Sequence, residues 1–111
     1  MKVSNKDMIS FLNNARSIVS KKIPHKLFFA ISQNIMAFEM PAKLYTTEIE
    51  KVDKENVEEI NELLSIENEV VIQTVPEKVL DIMDESPKFD ALTGPEFMAI
   101  EFMIEKSKTE E

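Results

Sequence analysis

The sequence contains no cysteine, no tryptophan, one glycine and one histidine among its 111 residues. Without cysteine, neither a disulfide nor a thiolate-ligated metal can form, and a reducing compartment is the natural environment. Phosphate-binding loops need several glycines for tight turns, so Gly94 alone excludes the Walker loop and the dinucleotide-binding fingerprint. With His25 as the single histidine and no cysteine, the sequence has too few ligands for a zinc cluster. No serine lies in the strand–turn–helix context of a catalytic nucleophile. We therefore expect no metal, no cofactor and no enzymatic activity.

Long apolar runs and basic residues are also scarce. No run approaches the roughly 20 residues of a membrane span, and the polar residues 1–7 lack the apolar core of a signal peptide. Lysine and arginine number 13 against 21 acidic residues, which gives a formal net charge of −8. A field of that sign repels nucleic acid and attracts basic partners. These features predict a cytoplasmic protein with a protein partner and no direct binding to nucleic acid or membrane.

What remains is an ordinary globular composition, with 43% hydrophobic and 31% charged residues. The length suits one domain. We expect a helical hairpin over residues 5–53, a strand-containing half over residues 54–105, and a charged tail over residues 106–111. The predicted fold class is mainly α with a minor β element (α+β).

Apolar spacing predicts the hairpin. The first helix covers residues 5–21, with Ser4 as its N-cap. After Pro24, apolar residues recur at alternating steps of three and four, as in a heptad seam: Phe28, Ile31, Ile35, Phe38, Ala42, Tyr45, Ile49 and Val52. Pro41 lies inside this seam. A proline inside a helix removes one backbone hydrogen bond at a cost of about 3 kcal/mol. The alternatives are one kinked helix or two helices meeting at Met40, and the unbroken register favours the kink.

The second helix of this hairpin is much longer than the first, so the first cannot cover the seam beyond Pro41. Either the C-terminal half or a second copy of the chain must cover it. This mismatch predicts a homo-oligomer. The candidate interface residues are Ala42, Tyr45, Ile49, Val52, Phe97 and Phe102.

The C-terminal half mixes helical and strand patterns. Residues 57–64 read as a short amphipathic helix, and residues 76–83 as a helical turn. The β-branched run 69–75 predicts one strand, whose partner is either the segment near Phe89 or another chain. Thr93 or Gly94 caps a last helix, which reads as buried because it is apolar nearly all round.

Several segments together resemble a known protein family. They are residues 23–27 (IPHKL), 31–39 (ISQNIMAFE), 62–67 (ELLSIE) with 70–72 (VVI), and 99–105 (AIEFMIE). Their order, over residues 8–105, resembles a family of short uncharacterised proteins encoded by phages and prophages of Gram-positive bacteria. The resemblance implies a phage product acting inside a bacterial host. It implies no activity and no site residues.

Two charged clusters are candidate sites. A basic turn near a helix N-terminus is a possible anion site, or else solvated charge that compensates a helix dipole: Lys21, Lys22, His25 and Lys26. An acidic stretch is a possible mimic of nucleic acid that occupies a basic groove on a host protein, or else a plain solvated helix face: Glu48, Glu50, Asp53, Glu55, Glu58, Glu59 and Glu62. Five methionines are either an adaptable binding surface or core: Met36, Met40, Met83, Met98 and Met103.

The favoured hypothesis is a non-enzymatic, phage-encoded protein that inhibits or modulates a host defence or nucleic-acid-handling protein through this acidic surface. A virion structural or assembly protein is the first alternative, because the seam and the last helix are suited to protein contacts. A protein that sequesters a nucleotide or another small ligand at the basic turn is the second.

Overall fold

A computed structural model describes residues 1–106 as six α-helices, a 3-10 turn and four short strands. This architecture confirms the prediction of a mainly α protein with a minor β element. The helices are α1 (Asn5–Val19), α2 (His25–Ala37), α3 (Glu39–Ile49), α4 (Val57–Ser65), α5 (Lys78–Glu85) and α6 (Gly94–Ile100), and the 3-10 turn is Glu101–Met103. The strands are β1 (Lys2–Ser4), β2 (Glu67–Glu69), β3 (Val75–Pro76) and β4 (Ile104–Glu105). The predicted charged tail lies, beyond Lys106, outside the described residues.

Helix α1 is the element around which the others pack. Its hydroxyl cap forms as expected, because the Ser4 side chain accepts the backbone N–H of Asp7 at 3.1 Å. Helix α1 contacts α2, α3, α4 and α6. One face of α1 is fully enclosed, and its core residues are Met8, Phe11, Ala15 and Ile18. Among residues 1–106, no helix combines the length and the apolar character needed to cross a membrane.

The seam that follows Pro24 is divided between two helices. Phe38 separates α2 from α3 and has a non-helical backbone, with φ −91° and ψ 1°. Pro41 is the third residue of α3, where its missing N–H costs little because first-turn N–H groups have no intrahelical partner. In one continuous helix its ring would clash with the carbonyl of Ala37, so the break precedes the proline. The structure therefore has two helices with the boundary at Phe38, rather than one kinked helix or a boundary at Met40.

The strand predicted over residues 69–75 is present only at its two ends. Strand β2 pairs antiparallel with β1, so that Val3 lies opposite Asn68, and β3 pairs parallel with β4, so that Val75 lies opposite Ile104. The Phe89 segment was the wrong partner within the chain, because the two ends pair with β1 and β4. Val70 extends the first pair by donating its backbone N–H to the Met1 carbonyl at 2.9 Å, and residues 71–74 have no strand partner among residues 1–106.

A buried asparagine takes the place of a partner strand in this segment. Asn34 of α2 is fully buried, and its Oδ1 accepts the backbone N–H of Gln73 at 2.7 Å. Its Nδ2 donates to the Gln73 carbonyl at 2.9 Å and contacts the Met103 sulfur at 3.4 Å. One side chain therefore satisfies both backbone groups of Gln73, as a strand neighbour would.

The last helix is shorter than predicted and buried on one side only. Helix α6 ends at Ile100, and Ile104 lies in β4 instead of the helix. Thr93 and Glu96 form a complete capping box at its start. Phe97 and Met98 are exposed, so the expectation of a helix enclosed all round is wrong.

The inner side of α6 carries an ion pair between buried Glu96 and half-buried Lys21. Lys21 Nζ donates to Glu96 Oε1 at 2.5 Å and to the Ala91 carbonyl at 3.0 Å. Ser17 Oγ donates to Glu96 Oε2 at 2.6 Å, and the Thr93 N–H donates to Oε1 at 2.9 Å. The hydrogen bond from Lys21, then those from Ser17 and Thr93, lower the pKa of Glu96 from 4.5 to about 2. This network fastens α6 to the end of α1.

Replacing Asn34 by leucine tests the two hydrogen bonds that its side chain makes with the Gln73 backbone. Leucine keeps the size of the side chain but leaves the Gln73 N–H and C=O unsatisfied, so we expect the free energy of unfolding to fall by about 2 kcal/mol. Denaturant unfolding measures the loss, and hydrogen exchange at Gln73 should accelerate. An Asn14→Leu variant, at a half-buried position of α1, is the control. Equal stability of the two variants would contradict a stabilising role for the hydrogen bonds between Asn34 and Gln73.

Replacing Glu96 by glutamine tests the ion pair through its pH dependence. The lowered pKa means that ionised Glu96 stabilises the folded state fully above pH 4.5, and that this stabilisation is lost as the pH falls toward about 2. At pH 7 we expect E96Q to be less stable than the wild type by about 2 kcal/mol. The difference should shrink by more than half at pH 3, as measured by urea unfolding at both pH values. Glu101→Gln, at an exposed position, is the control. If the stability difference between the wild type and E96Q is the same at pH 3 as at pH 7, ionised Glu96 does not stabilise the fold in this way.

Candidate functional site

All seven predicted acidic residues are exposed and lie on consecutive elements of the structure. Glu48 lies near the end of α3, and the connection of residues 50–56 then leads into α4, which contacts α3. The elements therefore bring these carboxylates to one end of the α3–α4 pair. We call this set the acidic face: Glu48, Glu50, Asp53, Glu55, Glu58, Glu59 and Glu62.

The charge of the acidic face is largely not neutralised within the chain. Glu48 pairs with Lys51 at 2.8 Å, and the other six make no ion pair with residues 1–106. Some of the acids also serve local structure. The Asp53 carboxylate accepts the Glu55 N–H at 3.0 Å, and Glu58 and Glu59 lie in the first turn of α4, where a helix dipole favours anions. The remaining charge is available to a partner.

A second buried asparagine positions this surface. Asn5, at the start of α1, is 4% exposed, and its Nδ2 donates to the Leu63 carbonyl in α4 at 2.8 Å. Its Oδ1 accepts Asn68 Nδ2 at 2.8 Å, and its backbone N–H donates to the Ile66 carbonyl at 2.8 Å. These bonds fix the C-terminal end of α4 against α1. At the other end, Asn56 caps α4 by accepting the Glu59 N–H at 3.1 Å.

An apolar cavity of about 360 Å³ lies beside the acidic face. Ile49 of α3, Val52 of the connection and Ile60 of α4 line it, together with Glu50 and Lys54. The three apolar side chains are half-buried, and neither α3 nor α4 contains a fully buried residue. This end of the molecule is therefore lightly packed and offers apolar surface next to negative charge.

The predicted basic turn is partly used for structure. Lys21 is paired with Glu96 and is not an anion ligand in this arrangement. Lys22, His25 and Lys26 are exposed, and the first two line a cavity of about 280 Å³ with Lys88 and Phe89. The Nζ of Lys88 lies 5.0 Å from the centre of the Phe89 ring. Sequence spacing could not assign Lys88 to the basic turn, because it is more than 60 residues away from Lys26 along the chain.

Half of the predicted oligomer interface, three residues of six, packs against the chain's own core. Ala42, Tyr45 and Phe102 are half-buried against the core, and Phe102 packs edge-on to Phe11 with ring centres 5.4 Å apart. Ile49 and Val52 line the cavity with Ile60, and Phe97 is exposed. The contact between α3 and α4 therefore covers part of the seam, so the length mismatch alone does not require a second copy.

An apolar stripe on the outer face of α2 and α3 escaped the sequence analysis. Phe29, Met36, Met40 and Leu44 are 59–73% exposed. Their steps of seven, four and four would have indicated a second apolar line, but the stronger inner seam masked it. The methionines divide accordingly, because Met83 and Met103 are core whereas Met36, Met40 and Met98 are on the surface.

Two features of residues 1–106 bear on metal binding and on His25. No group of three or more histidine, aspartate and glutamate side chains in that range could hold a metal ion. The His25 side chain is exposed and makes no hydrogen bond or ion pair with residues 1–106.

Comparison of the chain with protein-family models, with curated proteins and with solved structures finds no match.

Proposed function

We propose that this protein is a non-enzymatic binding protein that modulates a basic, nucleic-acid-handling host protein through its acidic face. The observation that carries the proposal is the exposure of seven carboxylates on adjoining elements, six of them without an ion pair among residues 1–106. Such a surface presents negative charge to a partner that otherwise binds phosphates. The phage origin is part of the proposal and depends on the resemblance of segments between residues 8 and 105.

The distribution of charge supports a binding role for this end in particular. The acidic face holds seven of the 21 acidic residues of the chain. Two lysines, Lys51 and Lys54, lie within the same stretch, and Lys51 is already paired with Glu48. Because electrostatic complementarity governs association rate and specificity, a basic partner would be steered to this end.

Charge reversal of Glu55, Glu58, Glu59 and Glu62 to lysine tests the proposal. Since each reversal adds two charges, four bring the formal net charge from −8 to zero. A matched variant reverses four exposed acids elsewhere and has the same net charge: Asp81, Asp84, Glu85 and Glu101. We expect affinity purification from a Gram-positive bacterial lysate to recover a basic nucleic-acid-handling protein with the wild type and the matched variant, but not with the acidic-face variant.

Circular dichroism must show that both charge variants remain folded. All eight side chains are exposed and none is in the core, so we expect unchanged spectra. Recovery of the same partner by the acidic-face variant, or recovery of no basic partner by the wild type, would overturn the proposal.

A second candidate function is an assembly role, and the exposed apolar stripe of Phe29, Met36, Met40 and Leu44 favours it. Several exposed apolar residues on adjoining helices are a feature that protein–protein contacts can use. In this case the stripe, and not the inner seam, would contact another subunit.

Replacing Met40 and Leu44 by lysine tests the assembly role. We expect sedimentation equilibrium to show self-association of the wild type and a shift of the double variant to monomer. Val71→Lys, at an exposed apolar position (84%) outside the stripe, should leave association unchanged. A wild type that stays monomeric at all concentrations and is absent from purified particles would exclude the assembly role.

A further inference from the structure

We infer that the cavity between the end of α3 and α4 receives an apolar side chain of the partner, presented by a cationic amphipathic segment. This inference depends on the proposed function, because it specifies how a basic partner would engage the acidic face. It adds a second kind of contact, apolar burial, to the electrostatic one.

The lining of the cavity fits an apolar side chain. Ile49, Val52 and Ile60 come from three successive elements and converge on a space of about 360 Å³. That volume is at the lower end of the range for ligand pockets, roughly 300–1,000 Å³, and it exceeds the volume of one leucine or phenylalanine side chain, so either can enter it. Burying such a side chain against three half-exposed aliphatic residues would be worth roughly tenfold or more in affinity.

The charges around the cavity decide what must flank that apolar residue. Glu50 lines the cavity, and Asp53 and Glu55 follow in the same connection, exposed and without an ion pair to residues 1–106. Lys54 is the cation at the rim. Lysine or arginine residues on both sides of the partner's apolar residue would match the surrounding carboxylates. A segment with this pattern on one face is a cationic amphipathic helix.

Other occupants fit less well. A second copy of the chain carries the same net charge of −8 and would bring like charges together. Residues 107–111, Ser-Lys-Thr-Glu-Glu, contain no apolar side chain that could fill the cavity. Nucleic acid is repelled by the carboxylates. A basic protein segment satisfies both the apolar lining and the charge.

The packing of this region allows it to adapt to such a segment. Neither α3 nor α4 has a fully buried residue, so small shifts of their adjoining ends would displace only half-buried or exposed side chains such as Ile49 and Ile60. Elements with few buried contacts are those that adjust on binding.

Three labelled peptides, two of about 18 residues and one shorter, test the inference by fluorescence anisotropy. The first places leucines on one helical face and lysines on the other, the second has the same composition with the leucines dispersed, and the third is oligolysine of the same charge. We expect the wild type to bind the amphipathic peptide at least about tenfold more tightly than the other two. Val52→Ser and Ile60→Ser should remove most of this preference and leave oligolysine binding unchanged, whereas Ile82→Ser, at an exposed isoleucine of α5, should change neither.

Methyl NMR of the wild type provides a measurement that does not depend on the variants folding. The methyl signals of Ile49, Val52 and Ile60 should shift with the amphipathic peptide and not with oligolysine. Equal affinity for the amphipathic and dispersed peptides, with no methyl shifts, would refute the cavity as a docking site while the acidic face stands. No binding of any cationic peptide would refute both the cavity and the proposed function.

Discussion

Three phenylalanine rings from distant parts of the chain meet in the core, and the arrangement of the helices depends on them. Phe11 of α1 lies 5.7 Å from Phe38 and 5.4 Å from Phe102, and Phe38 lies 6.1 Å from Phe102, measured between ring centres. Phe11 and Phe38 are fully buried. Edge-to-face and tilted aromatic contacts of this kind add about 0.5–1.5 kcal/mol per pair to the free energy of burial. They join α1, the α2–α3 boundary and the 3-10 turn in one contact.

The position of Phe38 in that contact explains why the chain divides where it does. Pro41 prevents a continuous helix, but the proline alone leaves open where the helical hydrogen bonds stop. Burial of Phe38 against Phe11 fixes the boundary, because the non-helical backbone at residue 38 keeps this ring in the core. From there α3 extends toward α4, and the acidic face occupies the end of that pair. The core cluster therefore sets the direction of the element that carries the candidate site.

Local sequence signals identified most of the helices and their caps, and failed where distant side chains decide the structure. The cap at Ser4 was predicted, and the cap of the last helix was narrowed to Thr93 or Gly94, because a capping residue and its N–H partner are only three residues apart. The strand predicted over residues 69–75 is longer than the strands observed, because Asn34, far away in sequence, binds Gln73 in place of a neighbouring strand. The exposure of the acidic face followed from its charge, whereas the adjoining cavity, formed by Ile49 and Ile60 from two helices, required the tertiary structure. Lys21 belonged to the basic turn by sequence, but its buried partner Glu96 was not apparent from sequence spacing.

The acidic residues of this chain are of two physical kinds, and the difference bears on function. Glu96 is buried, and its charge is matched by Lys21 and two further donors, so it contributes to the fold. The carboxylates of the acidic face are hydrated and mostly unmatched, so their mutual repulsion opposes close packing of α3 against α4. A cationic partner would relieve that repulsion, and anything that binds only the folded arrangement stabilises it. Binding of the proposed partner at this end would therefore be thermodynamically coupled to the stability of the α3–α4 pair, and the light packing of these two helices leaves room for such a gain in stability.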